Sequence, residues 1–327
     1  MGIYMHRRIL FETDLNASVL VLGTALFGSS IDEADSFRLL DRYYDVHGNF
    51  LDTSLNYADW HWPIKGISEK TLGKWMNLRG NRQDIIIGTK GACPLLNNGP
   101  FLRLNRDDIV SDLHQSLRNL QTDTIDLYYL HRDDPSKSVA EIIEILEDQV
   151  KAGKIRYYAC SNWTLPRIQE AHRYTKEHGK QGFVANQMMW SLANVNREHL
   201  SDSTLVSMDA KMMQYHRECG LSAIPYSSQA NGFFSGKYAQ GDDQSDSVVG
   251  CHYYNETNFS RLKRVEQLAR ELDLSSSVIA LAYMLSPAHA FAIYPVIGPK
   301  SMAQLDNSLA AVDVQFDLES IRFLEAQ

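Results

Sequence analysis

Four side chains in the first half of the chain could together protonate a carbonyl oxygen. They are Asp52, Tyr57, Lys90 and His131. A tyrosine phenol, with an ordinary pKa of about 10, is a weak acid, and a neighbouring ammonium favours the phenolate and lowers that pKa. A carboxylate paired with the lysine keeps the amine charged, and a histidine on the far side can bond and orient the substrate oxygen. The set therefore predicts a site that polarises a carbonyl and protonates the alkoxide that forms.

The sequence beside these residues lacks two features on which covalent catalysis and metal catalysis depend. The sequence offers no obvious nucleophile beside them and no cluster with metal-ligand spacing, so we predict no bound metal. The electrons for a reduction must then come from elsewhere, and a hydride from a nicotinamide cofactor fits. Taken singly, each residue is more often structural, since Asp-Thr-Ser runs such as residues 52–54 usually cap turns by bonding their own backbone.

Eight short β-rich runs, each followed by a helical pattern, must position the four residues. The predicted strands are 19–22, 50–52, 84–89, 125–130, 157–160, 184–187, 222–226 and 292–297. The helical patterns are 32–47, 68–78, 106–120, 139–152, 165–178, 208–219, 259–285 and 302–311. Eight alternating βα units predict a closed (β/α)8 barrel, formed by residues 1–327 as a single domain. A polar turn between 6–11 and 18–22 predicts an N-terminal β-hairpin. An open doubly wound sheet is the alternative, but no Gly-x-Gly-x-x-Gly follows any strand.

In a barrel the active site forms at the C-terminal ends of the strands, where the loops converge. Asp52, Lys90 and His131 stand at the ends of three consecutive predicted strands, and Tyr57 stands in the loop after Asp52. The next three strands also end in polar residues, which are Ser161-Asn162, Asn186-Gln187 and Tyr226-Ser227. We therefore expect these side chains to meet.

Composition narrows the class of protein. The chain has 327 residues, of which 44% are hydrophobic and 22% charged, as in ordinary soluble proteins. A net charge of −8 without a basic run argues against nucleic acid as a partner. No apolar stretch approaches a membrane span and no signal peptide precedes the first strand. The four cysteines form no C-x-x-C pair, which fits a reducing cytoplasm.

The motifs around these residues resemble the aldo-keto reductase family along nearly the whole chain. The matching segments are Asp52-Thr53-Ser54-Leu55-Asn56-Tyr57, Gly88-Thr89-Lys90, Leu130-His131-Arg132-Asp133-Asp134-Pro135, Gly153-Lys154-Ile155-Arg156-Tyr157 and Ser161-Asn162. The resemblance implies an (α/β)8 barrel and NADPH-dependent reduction of a small-molecule carbonyl. It also implies that Tyr57 is the general acid, that Lys90 and Asp52 tune it, and that His131 orients the carbonyl.

The resemblance further implies a cofactor site. Ser161, Asn162 and Gln187 match residues that bond the nicotinamide carboxamide, and Tyr226 matches the one that stacks on the ring. The remaining positions assigned to the cofactor are Gly23, Thr24, Asp52, Ser227, Lys237, Gly298, Lys300, Ser301, Gln304 and Ser308. Gly298-Pro299-Lys300-Ser301 leads into the last helix of the barrel, and a helix N-terminus with a lysine and a serine is an anion site on physical grounds. In the family it takes the adenosine 2′-phosphate, which favours NADPH over NADH.

Three segments depart from the family pattern. Ser227-Ser228-Gln229 replaces the usual Ser-Pro-Leu after the stacking tyrosine, and Ser308 stands where the family has an adenine-binding asparagine. Trp60-His61-Trp62 follows Tyr57 and either walls an aromatic substrate pocket or packs its own loop. The Gly-, Ser- and Asp-rich segment 229–258 is predicted to be a long loop and a candidate flap.

Two other functions fit the same residues. A class I aldolase would use Lys90 as a Schiff base, although a carboxylate partner would keep that lysine charged. A slow NADPH-binding sensor, acting on a partner protein, would carry the same side chains. Loops vary freely on this scaffold, so the carbonyl substrate, the direction of reaction and the oligomeric state stay open.

Overall fold

The N-terminal hairpin lies against the interior of the barrel. The computed structural model describes residues 4–59, 64–94, 102–244 and 246–326. Strand β1 (Arg7–Ile9) pairs antiparallel with β2 (Asn16–Ser18), with Arg8 opposite Ala17. Ala17 and the turn residues Leu10 and Leu15 are buried among the side chains of the barrel interior. The predicted hairpin is confirmed, and its apolar face covers one end of the barrel.

Eight parallel strands form the sheet in the order β10-β3-β4-β5-β6-β7-β8-β9. They are β3 (Val21–Gly23), β4 (Phe50–Asp52), β5 (Ile86–Gly91), β6 (Ile125–Leu130), β7 (Ile155–Ser161), β8 (Phe183–Gln187), β9 (Ser222–Ala223) and β10 (Val296–Ile297). Backbone bonds close the ring: Ala223 N donates to Ala292 O, and Tyr294 N donates to Ala223 O. The predicted (β/α)8 barrel with an N-terminal hairpin is therefore confirmed.

Helices follow the strands and cover the outside of the sheet. They are α1 (Glu33–Asp45), α2 (Ile67–Arg79), α3 (Arg106–Leu120), α4 (Val139–Lys151), α5 (Leu165–His178), α6 (Ala210–Cys219), α7 (Val248–Tyr253), α8 (Glu256–Leu272), α9 (Ser276–Leu285), α10 (Met302–Leu309) and α11 (Leu318–Glu325). Several start at side-chain caps, as where Asp32 accepts from Asp35 N and Asn105 accepts from Asp108 N. None of the described helices has both the length and the apolar character needed to cross a membrane.

The alternation of side chains along each strand produces two cores. Inward-facing residues such as Val21, Phe50 and Leu127 fill the barrel. Outward-facing residues such as Leu22 and Tyr128 pack against the helices. Because both faces are buried, the strands are apolar runs, and the polar residues are left at the strand ends.

Two predicted strands and one predicted loop differ from the structure. Regular pairing in the predicted strands 222–226 and 292–297 is confined to β9 and β10, since Pro225 and Pro295 have no N–H to donate to a ladder. The predicted loop 229–258 contains a 3-10 helix (Ala230–Ser235), α7 and the start of α8. Phe233 packs against the rings of Tyr254 and Phe259 there, and this aromatic packing joins the segment to the outer core of the barrel.

Candidate active site

Lys90 and Asp52 form a buried ion pair at the C-terminal ends of β4 and β5. Lys90 Nζ donates to Asp52 Oδ2 at 2.7 Å, to Thr53 O at 2.8 Å and to Tyr57 Oη at 3.0 Å. These three bonds use all three ammonium hydrogens. The exposed fraction is 1% for the lysine side chain and 3% for the carboxylate. Burial lowers the pKa of Lys90, but the charge of Asp52 and the bonds to Asp52 and Tyr57 more than offset it, so the pKa is raised above 10.5.

The loop after β4 brings Tyr57 to this pair. Leu55 N donates to Lys90 O at 3.1 Å, and Tyr57 N donates to Ser54 O at 3.1 Å, so the turn lies against the end of β5. Burial raises the pKa of the phenol, and Lys90 opposes that rise without cancelling it. The sequence argument expected the ammonium to lower the pKa of this phenol, and Lys90 acts in that direction. Desolvation of the phenolate outweighs this attraction, so the net shift of the pKa is upward.

His131 stands next to Tyr57 at the end of β6. Its backbone N–H continues the ladder between β5 and β6 by donating to Gly91 O at 3.0 Å. The ring centroids of His131 and Tyr57 are 6.2 Å apart, and His131 Nδ1 lies 3.3 Å from Ser54 Oγ. Burial, together with the cations of Arg132 and Lys90, holds the pKa of His131 well below 6.5. The imidazole is therefore neutral at neutral pH and has no charge of its own to place beside the substrate.

Amide and hydroxyl groups surround the next strand ends. Gln187 Nε2 donates to Asp52 Oδ1 at 2.9 Å, which links β8 to the ion pair. Asn162 has a positive φ of 58°, and its Oδ1 accepts from Tyr226 Oη at 2.7 Å. Asn162 Nδ2 donates to Ser161 Oγ at 3.0 Å. Ser161, Asn162, Gln187 and Tyr226 are thus connected by bonds and lie beside the catalytic set proposed from the sequence.

The residues after β10 form the second cluster of predicted cofactor positions. Ser301 caps α10 by accepting from Gln304 N, and Gln304 Oε1 accepts from Lys300 N at 2.7 Å. Lys300 is exposed and forms no ion pair with the residues that the structure describes. At Gly298 a Cβ would meet nothing within 4 Å, so this turn is open to a ligand. Ser308 lies on α10 and bonds Gln304 O at 3.0 Å.

Four further predicted cofactor positions have different surroundings. Thr24 is buried, and its hydroxyl bonds Asp52 O and Ser68 Oγ, each at 3.0 Å. A Cβ at Gly23 would lie 2.8 Å from Val296 Cγ1, so a glycine there permits close contact between β3 and β10. Ser227 has a positive φ of 52° in the turn after Tyr226, and Lys237 is exposed. Trp60, His61 and Trp62, the predicted substrate pocket, lie outside the described residues.

The sequence argument gave no role to two side chains that lie near the site. Arg132 donates to His131 O at 2.8 Å and to Asp202 Oδ2 at 3.1 Å, and so ties residues 202–204 to the strand end. Tyr129 lies on the same side of its strand as His131, as the alternation of side chains could have indicated. Among the described residues, no group of three or more His, Cys, Asp or Glu could hold a metal ion.

Comparison with known proteins agrees with this arrangement. The family model described as "Aldo/keto reductase family" matches residues 19–326. The uncharacterized oxidoreductase YrpG of Bacillus subtilis (strain 168) is 30% identical over 325 residues, covering 98% of this chain and 95% of that protein. The aryl-alcohol dehydrogenase [NADP(+)] of Phanerodontia chrysosporium is 25% identical, covering 98% of this chain and 84% of that protein.

The solved structure of aldo-keto reductase AKR11C1 from Bacillus halodurans, in its holo form, superposes with a TM-score of 0.73 at 26% identity. The match covers 98% of this chain and 95% of that chain. The family model spans nearly all eight βα units, and this likeness extends over the same barrel. The chain therefore belongs to the aldo/keto reductase family and is an NAD(P)H-dependent oxidoreductase acting on carbonyl and alcohol groups.

Proposed function

We propose that this protein reduces an aldehyde or ketone to an alcohol with NADPH, and that Tyr57 is the general acid. The observation that carries the proposal is the bond from Lys90 Nζ to Tyr57 Oη at 3.0 Å, made by an ammonium that Asp52 holds at 2.7 Å. A phenol held against a buried cation can release its proton to an alkoxide at far lower cost than a buried phenol alone.

Each of the four catalytic residues has its own role in the proposed reaction. Tyr57 donates its proton to the carbonyl oxygen as negative charge develops there, and Lys90 stabilises the phenolate left behind. Asp52 keeps Lys90 charged and, through Gln187, in a fixed position. His131 stays neutral and hydrogen-bonds the substrate oxygen beside Tyr57. A bound nicotinamide cofactor supplies the hydride.

The polar groups beside the catalytic set fit a nicotinamide. Asn162 and Gln187 supply amide donors and acceptors that complement a carboxamide, and Tyr226 offers an aromatic ring at the adjoining strand end. Asn162 has a positive φ, and residues with this backbone arrangement cluster at active sites and ligand clamps. At α10 the exposed Lys300 and the open turn at Gly298 fit a phosphate, which supports NADPH over NADH. A relative named for NADP(+) supports the same choice.

The aldolase alternative is disfavoured by the state of Lys90. A Schiff base requires a neutral amine, whereas the pKa of Lys90 is raised and its three hydrogens are bonded to oxygens. The sensor alternative shares every contact with the reductase and differs only in turnover. Turnover of the unmodified protein therefore separates the sensor from the reductase.

The test is Tyr57→Phe, assayed with a panel of aldehydes and ketones by cofactor absorbance and with NADPH by fluorescence titration. We expect turnover to fall by about 10²- to 10⁴-fold, which is the rate factor that a general acid usually contributes, with little change in NADPH affinity. Tyr174→Phe is the matched control, because this tyrosine on α5 bonds Glu144 far from the strand ends. Reductase activity retained in Tyr57→Phe would overturn the mechanism. Tight NADPH binding without turnover in the unmodified protein would favour the sensor.

A further inference from the structure

The ammonium of Lys90 lies between two aromatic rings. Its Nζ stands 4.6 Å from the centroid of Tyr57 and 5.6 Å from the centroid of Tyr129. Both distances are within the range at which a cation is attracted by the negative face of a ring. Tyr57 already has a role through its hydroxyl. Tyr129 has none in the proposed reaction, although it is fully buried beside the ion pair.

The barrel places Tyr129 there through its register. Tyr129 on β6 pairs with Lys90 on β5 and with Ala159 on β7, so the ring has a small neighbour on one side and the lysine on the other. Gly88 makes the remaining room: a Cβ there would lie 3.1 Å from Tyr129 Cε2. The edge of the ring therefore lies against β5 at a position without a side chain, and the ring centroid lies 5.6 Å from the ammonium.

The hydroxyl of Tyr129 does not explain its presence. Tyr129 Oη is buried and has no hydrogen-bond partner among the residues that the structure describes. A buried hydroxyl without a partner costs stability, so the aromatic face must account for any benefit of this side chain. The hydrogens of Lys90 are directed at Asp52, Thr53 and Tyr57, and the ring stabilises the charge from a direction in which no acceptor lies.

We propose that Tyr129 is a positioning residue that holds Lys90 charged and in place through the face of its ring. The charge of Lys90 limits the cost of forming the Tyr57 phenolate, so the ring acts on the general acid through the lysine. This step rests on the proposed function, whereas the contact between ring and ammonium does not. The two parts can therefore be tested separately.

The experiment replaces Tyr129 with phenylalanine and with its 4-fluoro, 3,5-difluoro and 3,4,5-trifluoro derivatives. Fluorine withdraws charge from the ring face with little change in size, so it weakens attraction to a cation while the packing is kept. Tyr129→Phe removes only the unpartnered hydroxyl, and we expect its stability to equal or exceed that of the unmodified protein. Each added fluorine should then raise the equilibrium constant for unfolding, by about tenfold over the series.

Two controls isolate the ammonium. The same series at Tyr128, which faces the outer core from the same strand, should give no stepwise trend. In a Lys90→Met background the trend at position 129 should disappear, since the cation is gone. A stepwise trend at position 129 alone supports the contact. No trend there, or an equal trend at both positions, overturns it.

The second readout is the alkaline limb of the pH profile of kcat/KM. Loss of the ring's attraction makes the ammonium easier to deprotonate, so the limb should move to lower pH by about one unit across the series. Stepwise stability loss with a fixed limb would leave the contact standing and would overturn the positioning role of Tyr129 in turnover, while the proposed function is tested separately by Tyr57→Phe. A limb that moves with the fluorine count supports both.

Discussion

Asp52→Asn tests how strongly the active-site geometry depends on one buried charge. The substitution keeps the shape of the side chain and removes its negative charge. Asp52 accepts from Lys90 Nζ through Oδ2 and from Gln187 Nε2 through Oδ1. Asparagine offers one acceptor oxygen and one amide donor, so it can accept from only one of these two donors. The other donor then faces an N–H group.

The expected loss of unfolding free energy follows from the burial of the Lys90–Asp52 pair. Both members of the pair are nearly inaccessible, at 1% and 3%, so an unpaired ammonium cannot be rehydrated. Removing one partner of a buried pair costs about 3–5 kcal/mol, because the remaining charge keeps its desolvation penalty. For a domain whose stability is of order 5–15 kcal/mol, that loss is a large fraction of the total.

Denaturant unfolding at neutral pH measures this loss. Asp148→Asn is the matched control, because its bond to Arg106 is nearly as short at 2.8 Å while the two side chains are 45% and 53% exposed. We expect at most about 1 kcal/mol there. If Asp52→Asn costs no more than Asp148→Asn, the buried pair does not stabilise the fold as argued.

The dependence on pH supplies an independent check. In the unmodified protein the pKa of Lys90 is raised, so the stability it contributes is complete below the unfolded value near 10.4 and is lost as the pH rises through the folded value. Without Asp52, burial dominates and lowers that pKa, so the variant's penalty diminishes as the pH rises. The difference in unfolding free energy between the two proteins should therefore begin to shrink below about pH 10.4, as the variant's folded lysine loses its proton, and should go on shrinking above it. A constant difference would contradict the assignment to Lys90.

Two further predictions concern the cofactor and His131. Lys300→Ala should weaken NADPH binding by about tenfold or more and leave NADH binding unchanged, since only NADPH carries the 2′-phosphate; fluorescence titrations that show equal effects on both would refute it. The pKa of His131 is well below 6.5, so the folded protein loses stability as the pH falls from about 6.5, by up to ~1.4 kcal/mol per unit from this group. His131→Asn should lose less stability than the unmodified protein between pH 7 and 5, and an equal loss would contradict the argument.

The sequence was sufficient for the barrel because its two patterns are local. Continuous apolar runs predicted buried strands, and helical patterns at 32–47 and 106–120 predicted helices whose starts lie within a residue of the observed ones, which Asp32 and Asn105 cap. The prediction of a loop for segment 229–258 was wrong, since Phe233 packs against Tyr254 and Phe259, which are more than 20 residues further along the chain. Glycine and aspartate content indicates turns, but it does not reveal a cluster that forms only on packing.

The position of the candidate site followed from topology, whereas its energetics did not. Parallel strands place Asp52, Lys90 and His131 at one end of the barrel, whatever their surroundings. The direction of the pKa shift on Tyr57 depends on how deeply the phenol is buried, and spacing in the sequence carries no measure of depth. The place of Tyr129 depends on Gly88, whose missing side chain is visible in the sequence but whose neighbour is not.

The raised pKa of Tyr57 changes what Lys90 is understood to do. A phenol whose pKa was lowered to near neutrality would be partly ionised, and the ionised fraction would lack the proton that the proposed reduction requires. Burial instead keeps the proton on Tyr57, and Lys90 limits how far the pKa rises. The lysine thereby lowers the cost of the phenolate without making it the resting state. Asp52 has two opposing effects on the pKa of Tyr57. It raises that pKa directly, and it keeps Lys90 charged, which lowers the same pKa. A site of this kind is poised to give a proton to an alkoxide, and it ionises only when a stronger base than water is present.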